Sequence, residues 1–513
     1  MTQAQRGERF EPAGSDRRAP LPAHGQQDAT ADERALCTFI LILAGYFLLQ
    51  IIVRLCLSDS LDLDEAEQVF VFQQLRGGYD TQPPLYAWLQ WLFFSVFGLH
   101  LFALSLLKNL LLFATYLGVL FTARRLTSPM AAIAATASLV LLPAIGWESQ
   151  RDLTHSVILT TMASLSLCAY FALLRKPNVA RYALFGLLAG LGMLAKYNFV
   201  IFAGGIALTS LLVPEHRRIV WNGKVAVALS VAVLVFIPHG VWLAHHLADA
   251  TNGTLSKMSE GHKASYLGNV AQGFGDLLVA IVSFVTPLWI IDGWLWRGQL
   301  RQAKADRANP HARFFLILYA VFFIGLSVLL LTGKVSHIKS RWLLPLMFSV
   351  PLAVFVIFPA FAQRDACRKI ARAAGVFAVV ILLALPARVY FGPMLGKSVR
   401  AHFPFPELSA ELAQRFPNAR VLVTDAKLAA GNLHFQRPEL RTMLFDEVLD
   451  EHPPLSGDVI LLMRPEAPAD WLDAFKAAYP SDVAEQGRFK LRYRYGSKEF
   501  MSFDFVHVVI RNP

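Results

Sequence analysis

The chain has 513 residues, 55% of them hydrophobic and only 17% charged, with a formal net charge of +11 at pH 7. That composition excludes an ordinary soluble enzyme, because several apolar runs reach the roughly 20 residues that a membrane-spanning helix needs. The basic residues gather in short connections between those runs, which is a topological pattern, so the positive charge does not read as a nucleic-acid footprint.

Residues 1–35 are rich in Arg, Ala, Gln, Pro and Gly and read as a disordered cytoplasmic tail. The apolar run Leu36 to Leu57 is too long for a signal-peptide core and reads as an uncleaved anchor. Ten further spans are predicted at 101–122, 130–146, 155–174, 182–195, 198–213, 223–244, 277–296, 314–332, 342–361 and 373–391. Eleven crossings with the N-terminus inside place Arg124-Arg125, Arg175-Lys176, Arg217-Arg218, the 297–313 cluster and Arg364, Arg368, Lys369 and Arg372 on the inner face. The outer loops are poorer in cations, as the positive-inside rule requires. Gly186, Gly190 and Gly192 form a small-residue stripe suited to helix packing. Cys37, Cys56, Cys168 and Cys367 lie in or beside apolar segments, with no spacing that resembles a disulfide framework or a metal site.

The outer loops carry the unusual polar residues. Asp62-Leu63-Asp64-Glu65-Ala66-Glu67 sets four carboxylates in six residues, followed by Gly78-Tyr79-Asp80-Thr81-Gln82-Pro83-Pro84-Leu85. A helix over 64–76 needs only one or two acids at its N-terminus. The surplus, beside a membrane, suits a general base toward a hydroxyl acceptor. Segment 85–97 is too short to span and rich in aromatics, as expected of a helix in the interface. Trp147 to His155 is either a solvated turn with an aromatic anchor or a second polar cluster, with Asp152 and His155 on one helix face. Lys334 to Trp342 puts Lys334, His337, Lys339 and Arg341 at the mouth of a span, fit for leaflet anchoring or for binding a lipid phosphate. Lys196 at an outer turn is read mainly as a snorkelling residue with a secondary role of this kind, and Arg54 as snorkelling alone. Lys108, deeper in the second span, snorkels or pairs with an outer carboxylate.

From about residue 400 the composition becomes that of a soluble α/β domain. Strands are predicted at 421–425, 459–463 and 503–510, with an amphipathic helix at 470–479. It shows no Gly-rich phosphate loop and no nucleophile elbow.

Asp64-Glu65-Ala66-Glu67 and Gly78 to Leu85 together resemble the first outer loop of GT-C membrane glycosyltransferases. The resemblance is greatest to the superfamily of protein O-mannosyltransferases and lipid A aminoarabinose transferases, glycosyltransferase families 39 and 83. It extends through Arg151-Asp152, Gly192 to Tyr197 and His337 to Pro345. It implies an α-helical polytopic membrane protein of GT-C type, with a disordered tail at 1–35, a transmembrane catalytic module at 36–393 and a periplasmic α/β domain at 394–513. It further implies a bacterial inner-membrane enzyme that moves a sugar from a polyprenyl-phosphate donor to an envelope lipid, glycan or protein on the periplasmic face. Asp64 is then the catalytic or site-organising carboxylate, with Glu65 and Asp152 beside it. Asp80, Gln82, Arg151, His155, Lys196, Tyr197, His337, Lys339 and Arg341 are the expected substrate-binding residues, with Lys339 and Arg341 near the carrier phosphate. Many relatives carry an acid where this chain has Thr81, so no cofactor is implied with certainty and a divalent metal is left open. The rival reading is a transporter or lipid flippase, against which stands the want of an internal repeat.

Overall fold

A computed structural model describes residues 23–79, 81–247, 265–335, 337–468 and 470–510. Among them, seven helices are long and apolar enough to cross a membrane, or ten if each of three bent pairs counts as one span. The eleven predicted segments all correspond to helices, but Val179–Ala195 has 17 residues and falls short of that length. Two predicted spans, 130–146 and 342–361, are broken, and 198–213 ends in a sharp bend. Pro129–Leu141 turns by 70° into Ala144–Arg151, Phe199–Leu212 by 109° into Pro214–Val220, and Ser340–Met347 by 44° into Val350–Ile357. Pro143, Pro214 and Pro351 lie at the breaks or within three residues of them, and a proline both removes a backbone donor and clashes with the preceding turn.

Two boundaries differ from expectation. The first helix, α1, runs Ala23–Leu57, so residues 23–35 continue the anchor helix instead of belonging to a tail, and 1–22 lie outside the described residues. The expected outer loop 245–276 is helical from Tyr266 onward, within Tyr266–Leu295, while 248–264 lie outside the described residues.

Helix α2 spans Leu63–Phe72 and begins on a capping box in which Asp62 is the N-cap and the Glu65 carboxylate accepts from the Asp62 N–H at 3.1 Å. Two otherwise orphaned donors at the helix start are satisfied in this way. Helix α3, Leu85–Phe97, follows Pro83-Pro84 and leaves Trp91, Leu92, Val96 and Phe97 exposed on one side, as an interfacial helix should. Helix α4, Leu101–Leu126, is two-thirds buried among its neighbours. The glycine stripe packs as predicted. A Cβ on Gly186 would stand 2.2 Å from the Ala228 carbonyl oxygen, so only glycine allows Val179–Ala195 to lie this close to Val225–His245.

The C-terminal portion builds a five-stranded sheet in the order β2-β1-β3-β5-β4, from β1 (Val421–Thr424), β2 (Arg441–Leu444), β3 (Gly457–Met463), β4 (Ser481–Arg492) and β5 (Phe500–Ile510). β1 lies parallel to β2 and β3, whereas β5 is antiparallel to β3 and β4. Alternation along each strand splits the core into two layers. Leu422, Ile460 and Phe505 meet Leu412 and Leu433 on one face; Val423, Leu461 and Val508 meet Val448 and Phe475 on the other.

This sheet unit is fastened to one end of the membrane helices. The Leu61 N–H donates to Asn432 Oδ1 at 2.7 Å, the Ser58 hydroxyl to the Ala401 carbonyl at 2.8 Å, and the Ser60 hydroxyl to the Phe403 carbonyl at 2.6 Å. Helix Lys427–Gln436 packs on α2 so closely that a Cβ on Gly431 would lie 1.9 Å from the Ala66 carbonyl oxygen.

Candidate active site

Asp64 and Asp152 are brought together by an irregular stretch of backbone. Asp152 is extended, Leu153 takes a left-handed conformation at φ 72°, and helix Thr154–Arg175 starts only afterwards. Asp152 and His155 therefore do not share a helix face, and the expected 147–154 turn is mostly helical, with a π-helical turn over Ala144–Glu148. The Asp64 N–H donates to Asp152 Oδ1 at 3.3 Å, while Asp64 Oδ2 accepts from the Thr154 N–H at 2.9 Å. Asp152 Oδ2 receives Arg400 at 3.3 Å. Burial, and then the neighbouring Asp64 charge, push the Asp152 carboxyl up to about 6, against the pull of Lys108 and Arg400.

Asp64 lines a cavity of about 590 Å³ bounded by α2, the Thr81-Gln82 turn, the start of Thr154–Arg175, the Lys196 turn and the 335–346 segment. Gln82, His155, Lys196 and Tyr197 share it with Asp64. Lys339 and Arg341 line it too, and helix Lys427–Gln436 contributes Lys427. The cavity thus gathers four cations against the carboxylates of Asp64 and Glu67, and Lys427 Nζ lies 3.3 Å from Glu67 Oε1. Lys196 Nζ reaches the Ser156 hydroxyl at 3.3 Å. His155 Nε2 stands 3.4 Å from Gln68 Nε2, and its buried Nδ1 has no hydrogen-bond partner. Tyr197 donates to His239 Nε2 at 3.1 Å, since His239 Nδ1 must carry the proton it gives to the Gly77 carbonyl at 2.8 Å. That relay ties the Lys196 turn to the Gly77 turn that follows α2.

Other expected residues lie elsewhere. Glu65 is 2% exposed and turned away from the cavity, where Arg54 binds it bidentately at 3.0 and 2.6 Å and Lys108 stands 3.9 Å away. Burial alone would raise the Glu65 carboxyl, but Arg54, Lys108 and the Asp62 N–H outweigh it and hold it at about 2. Arg54 is accordingly a partner of Glu65 and not merely a snorkelling cation. Arg151 lines a different, smaller cavity. His337 pairs with Asp276 at 2.6 Å, tethering the 335–346 segment to Tyr266–Leu295. Asp80 lies outside the described residues. Lys427, Arg400 and Glu67 are not among the site residues expected from the sequence. Both cations come from the C-terminal portion, and neither carries a local motif.

Among the described residues no group of three or more His, Cys, Asp or Glu side chains is placed to hold a metal ion. Asp64 Oδ2 and both Asp152 oxygens are instead engaged by backbone N–H groups and Arg400. Two carboxylates without a third acidic, His or Cys ligand among the described residues do not fit a metal site.

A pair of carboxylates at the mouth of a bundle of spanning helices, beside a cation-rich cavity, defines a membrane enzyme of group transfer to or from a lipid-borne anion. Comparison with known proteins narrows the class. Residues 81–242 match the family model of dolichyl-phosphate-mannose-protein mannosyltransferases. The chain is 34% identical over 463 residues to the lipopolysaccharide core galacturonosyltransferase RgtB of Rhizobium johnstonii, covering 89% of this chain and 91% of the relative. It is 32% identical to RgtA of the same organism, also a lipopolysaccharide core galacturonosyltransferase, over 90% and 95% of the two chains. The fold matches ArnT from Cupriavidus metallidurans bound to undecaprenyl phosphate with a TM-score of 0.59 at 13% identity, covering 92% and 98% of the chains. The chain belongs to the GT-C membrane glycosyltransferases of the protein O-mannosyltransferase and ArnT superfamily, and it is a multi-pass membrane glycosyltransferase.

Proposed function

We propose that this enzyme transfers galacturonate from a polyprenyl-phosphate carrier to lipopolysaccharide, on the periplasmic face of the bacterial inner membrane. The observation that carries the reading is the charge of the large cavity: Lys196, Lys339, Arg341 and Lys427 against Asp64 and Glu67. A lipid-linked uronic acid brings one phosphate and one carboxylate, and the cation excess answers both. The names of the 34% and 32% identical relatives support the same sugar and acceptor.

Transfer proceeds by in-line displacement. Asp64 takes the proton of the acceptor hydroxyl as its oxygen attacks the anomeric carbon, and the bond from that carbon to the carrier phosphate breaks. Configuration inverts. Lys339 and Arg341 stabilise the charge that develops on the departing polyprenyl phosphate. The cationic inner loops favour an N-terminus in the cytoplasm, with Asp64 and the sheet unit (394–513) in the periplasm and the 36–393 helices as the catalytic module.

The test is transfer by the purified enzyme from a polyprenyl-phosphate galacturonate donor to lipopolysaccharide, read by mass spectrometry of the product. Asp64→Asn should reduce the rate by about 10²–10⁴-fold while the protein still purifies as a monodisperse species. Full activity of that variant removes Asp64 from the role of base, and a product with neutral hexose overturns the choice of sugar.

A further inference from the structure

A second cavity of about 70 Å³ opens between the outer ends of α1, α4 and helix Arg364–Phe391, with room for a single tetrahedral oxyanion. Arg54, Lys108, Arg151 and Arg388 line it, and Asp62 is its one carboxylate. Two of these charges are already used: Arg54 holds Glu65, and Asp62 accepts Arg400 at 2.5 Å. Arg151 and Arg388 form no ion pair among the described residues, although they stand within electrostatic reach of each other. Lys108 is 3% exposed; its ammonium makes no hydrogen bond among the described residues, and its nearest carboxylate oxygen, on the Glu65 that Arg54 already holds, is 3.9 Å away. A buried ammonium that shares one carboxylate with Arg54 and has no hydrogen-bond acceptor, beside two guanidinium groups without an ion pair, leaves an excess of positive charge at the membrane boundary that an anionic ligand would answer.

The position of this cavity gives the anion a purpose. Asp62 faces it, and Asp64, two residues further along α2, faces the large cavity. Asp152 joins the two, accepting from Arg400 with one oxygen and from the Asp64 N–H with the other. The carboxylate pair is therefore the partition between them. With the carrier phosphate held by Lys339 and Arg341, an acceptor entering from the opposite side meets the base from the direction that displacement requires.

We infer that the small cavity is an anchor for an oxyanion of the acceptor, a phosphate or carboxylate of lipopolysaccharide, and that Arg388, Arg151 and Lys108 bind it so that a neighbouring hydroxyl reaches Asp64. The inference rests on the glycosyl-transfer reading given above. Guanidinium groups suit this task because their paired donors match the oxygens of either anion.

The experiment compares three acceptors with the full-length purified enzyme: phosphorylated lipid A, the same lipid after phosphatase treatment, and the dephosphorylated lipid carrying an acidic core sugar. The wild type should show a KM at least tenfold lower for whichever charged form is the true ligand, which separates phosphate from carboxylate. Arg388→Gln should raise that KM about tenfold, leave the donor KM within twofold, and erase the preference for the charged acceptor; Arg388→Lys should restore part of it. A wild type that uses charged and uncharged acceptors with equal KM overturns the inference without any variant having to fold. So does an Arg388→Gln or Arg151→Gln enzyme whose loss falls equally on all three acceptors or on the donor KM. A wild type that transfers no sugar to any of them defeats the underlying reading instead.

Discussion

The backbone N–H of Asp64 donates to the Asp152 carboxylate at 3.3 Å, across 88 residues of sequence. The Asp64 charge thus lies next to a half-buried Asp152 carboxyl. Asp152 binds a proton up to about pH 6 because burial and the Asp64 charge both disfavour its ionised form. An acid is charged above its pKa, so transfer should rise with pH through about 6 as the pair loses its last proton. Asp152→Asn removes this ionisation, and its kcat/KM profile should lose the acidic limb near 6. A limb that stays in place would assign it to another group.

Glu65 separates stability from catalysis. Its carboxylate neutralises Arg54 and Lys108 at the outer end of α1 and α4, and deleting one partner of a buried pair leaves an uncompensated charge that costs about 3–5 kcal/mol. Glu65→Ala should lower the melting temperature of the detergent-purified protein clearly, and Arg54→Ala similarly. The pairing itself is insensitive to mild acid. The folded-state pKa is depressed to about 2, so its contribution is complete above about 4.5 and lost only as pH falls toward 2. The Glu65→Gln enzyme that remains folded should still transfer sugar. Complete inactivity with an unchanged melting curve would return Glu65 to the catalytic group.

Arg341 and Lys427 should divide the donor between them. Charge-assisted hydrogen bonds contribute about 1.5–3 kcal/mol, so Arg341→Ala should raise the KM for any polyprenyl-phosphate donor about 10- to 100-fold. Lys427→Ala should act mainly on the uronate and spare a neutral sugar on the same carrier. Steady-state kinetics with the two donors checks both, and equal losses on both donors for Lys427→Ala would remove its role toward the sugar carboxylate.

Gly431→Ala tests the seam between α2 and helix Lys427–Gln436. The added methyl group meets the Ala66 carbonyl, a backbone atom that cannot swing aside, and overpacking of this kind costs about 1–3 kcal/mol. Limited proteolysis should cut faster near residues 394–404 in this variant, and transfer should fall with the displaced Lys427. An unchanged cleavage rate and full activity would show the seam to be looser than the structure has it.

The spans were legible because apolar runs have length, and the cation bias of their loops assigned the acidic loop, the Trp147 to His155 stretch and the Lys334 to Trp342 stretch to one face. The cavity gathers Asp64, Gln82, His155, Lys196, Tyr197, Lys339 and Arg341 from separate loops that hydropathy alone had placed together. What escaped was local geometry. A left-handed Leu153 cannot be read from a leucine, and it is what moves Asp152 off the helix. Glu65 and Asp64 are adjacent acids whose side chains diverge by the rotation of about 100° per helical residue, toward Arg54 on one side and the cavity on the other. β2 is only four residues long and gave no alternation to detect. Lys427 and Arg400 meet their partners Glu67 and Asp62 across 360 and 338 residues, a distance over which pattern carries no information.

The contact of Gly431 with Ala66 also sets the unit of inheritance in this enzyme. Since the sheet portion delivers Lys427 and Arg400 to the carboxylates of α2, neither part holds a complete reaction chamber. Chimeras that exchange the C-terminal portion between relatives of different sugar preference should work only when α2 and the Lys427 helix travel together. The boundary that a working exchange must respect therefore runs through the fold and not along the chain.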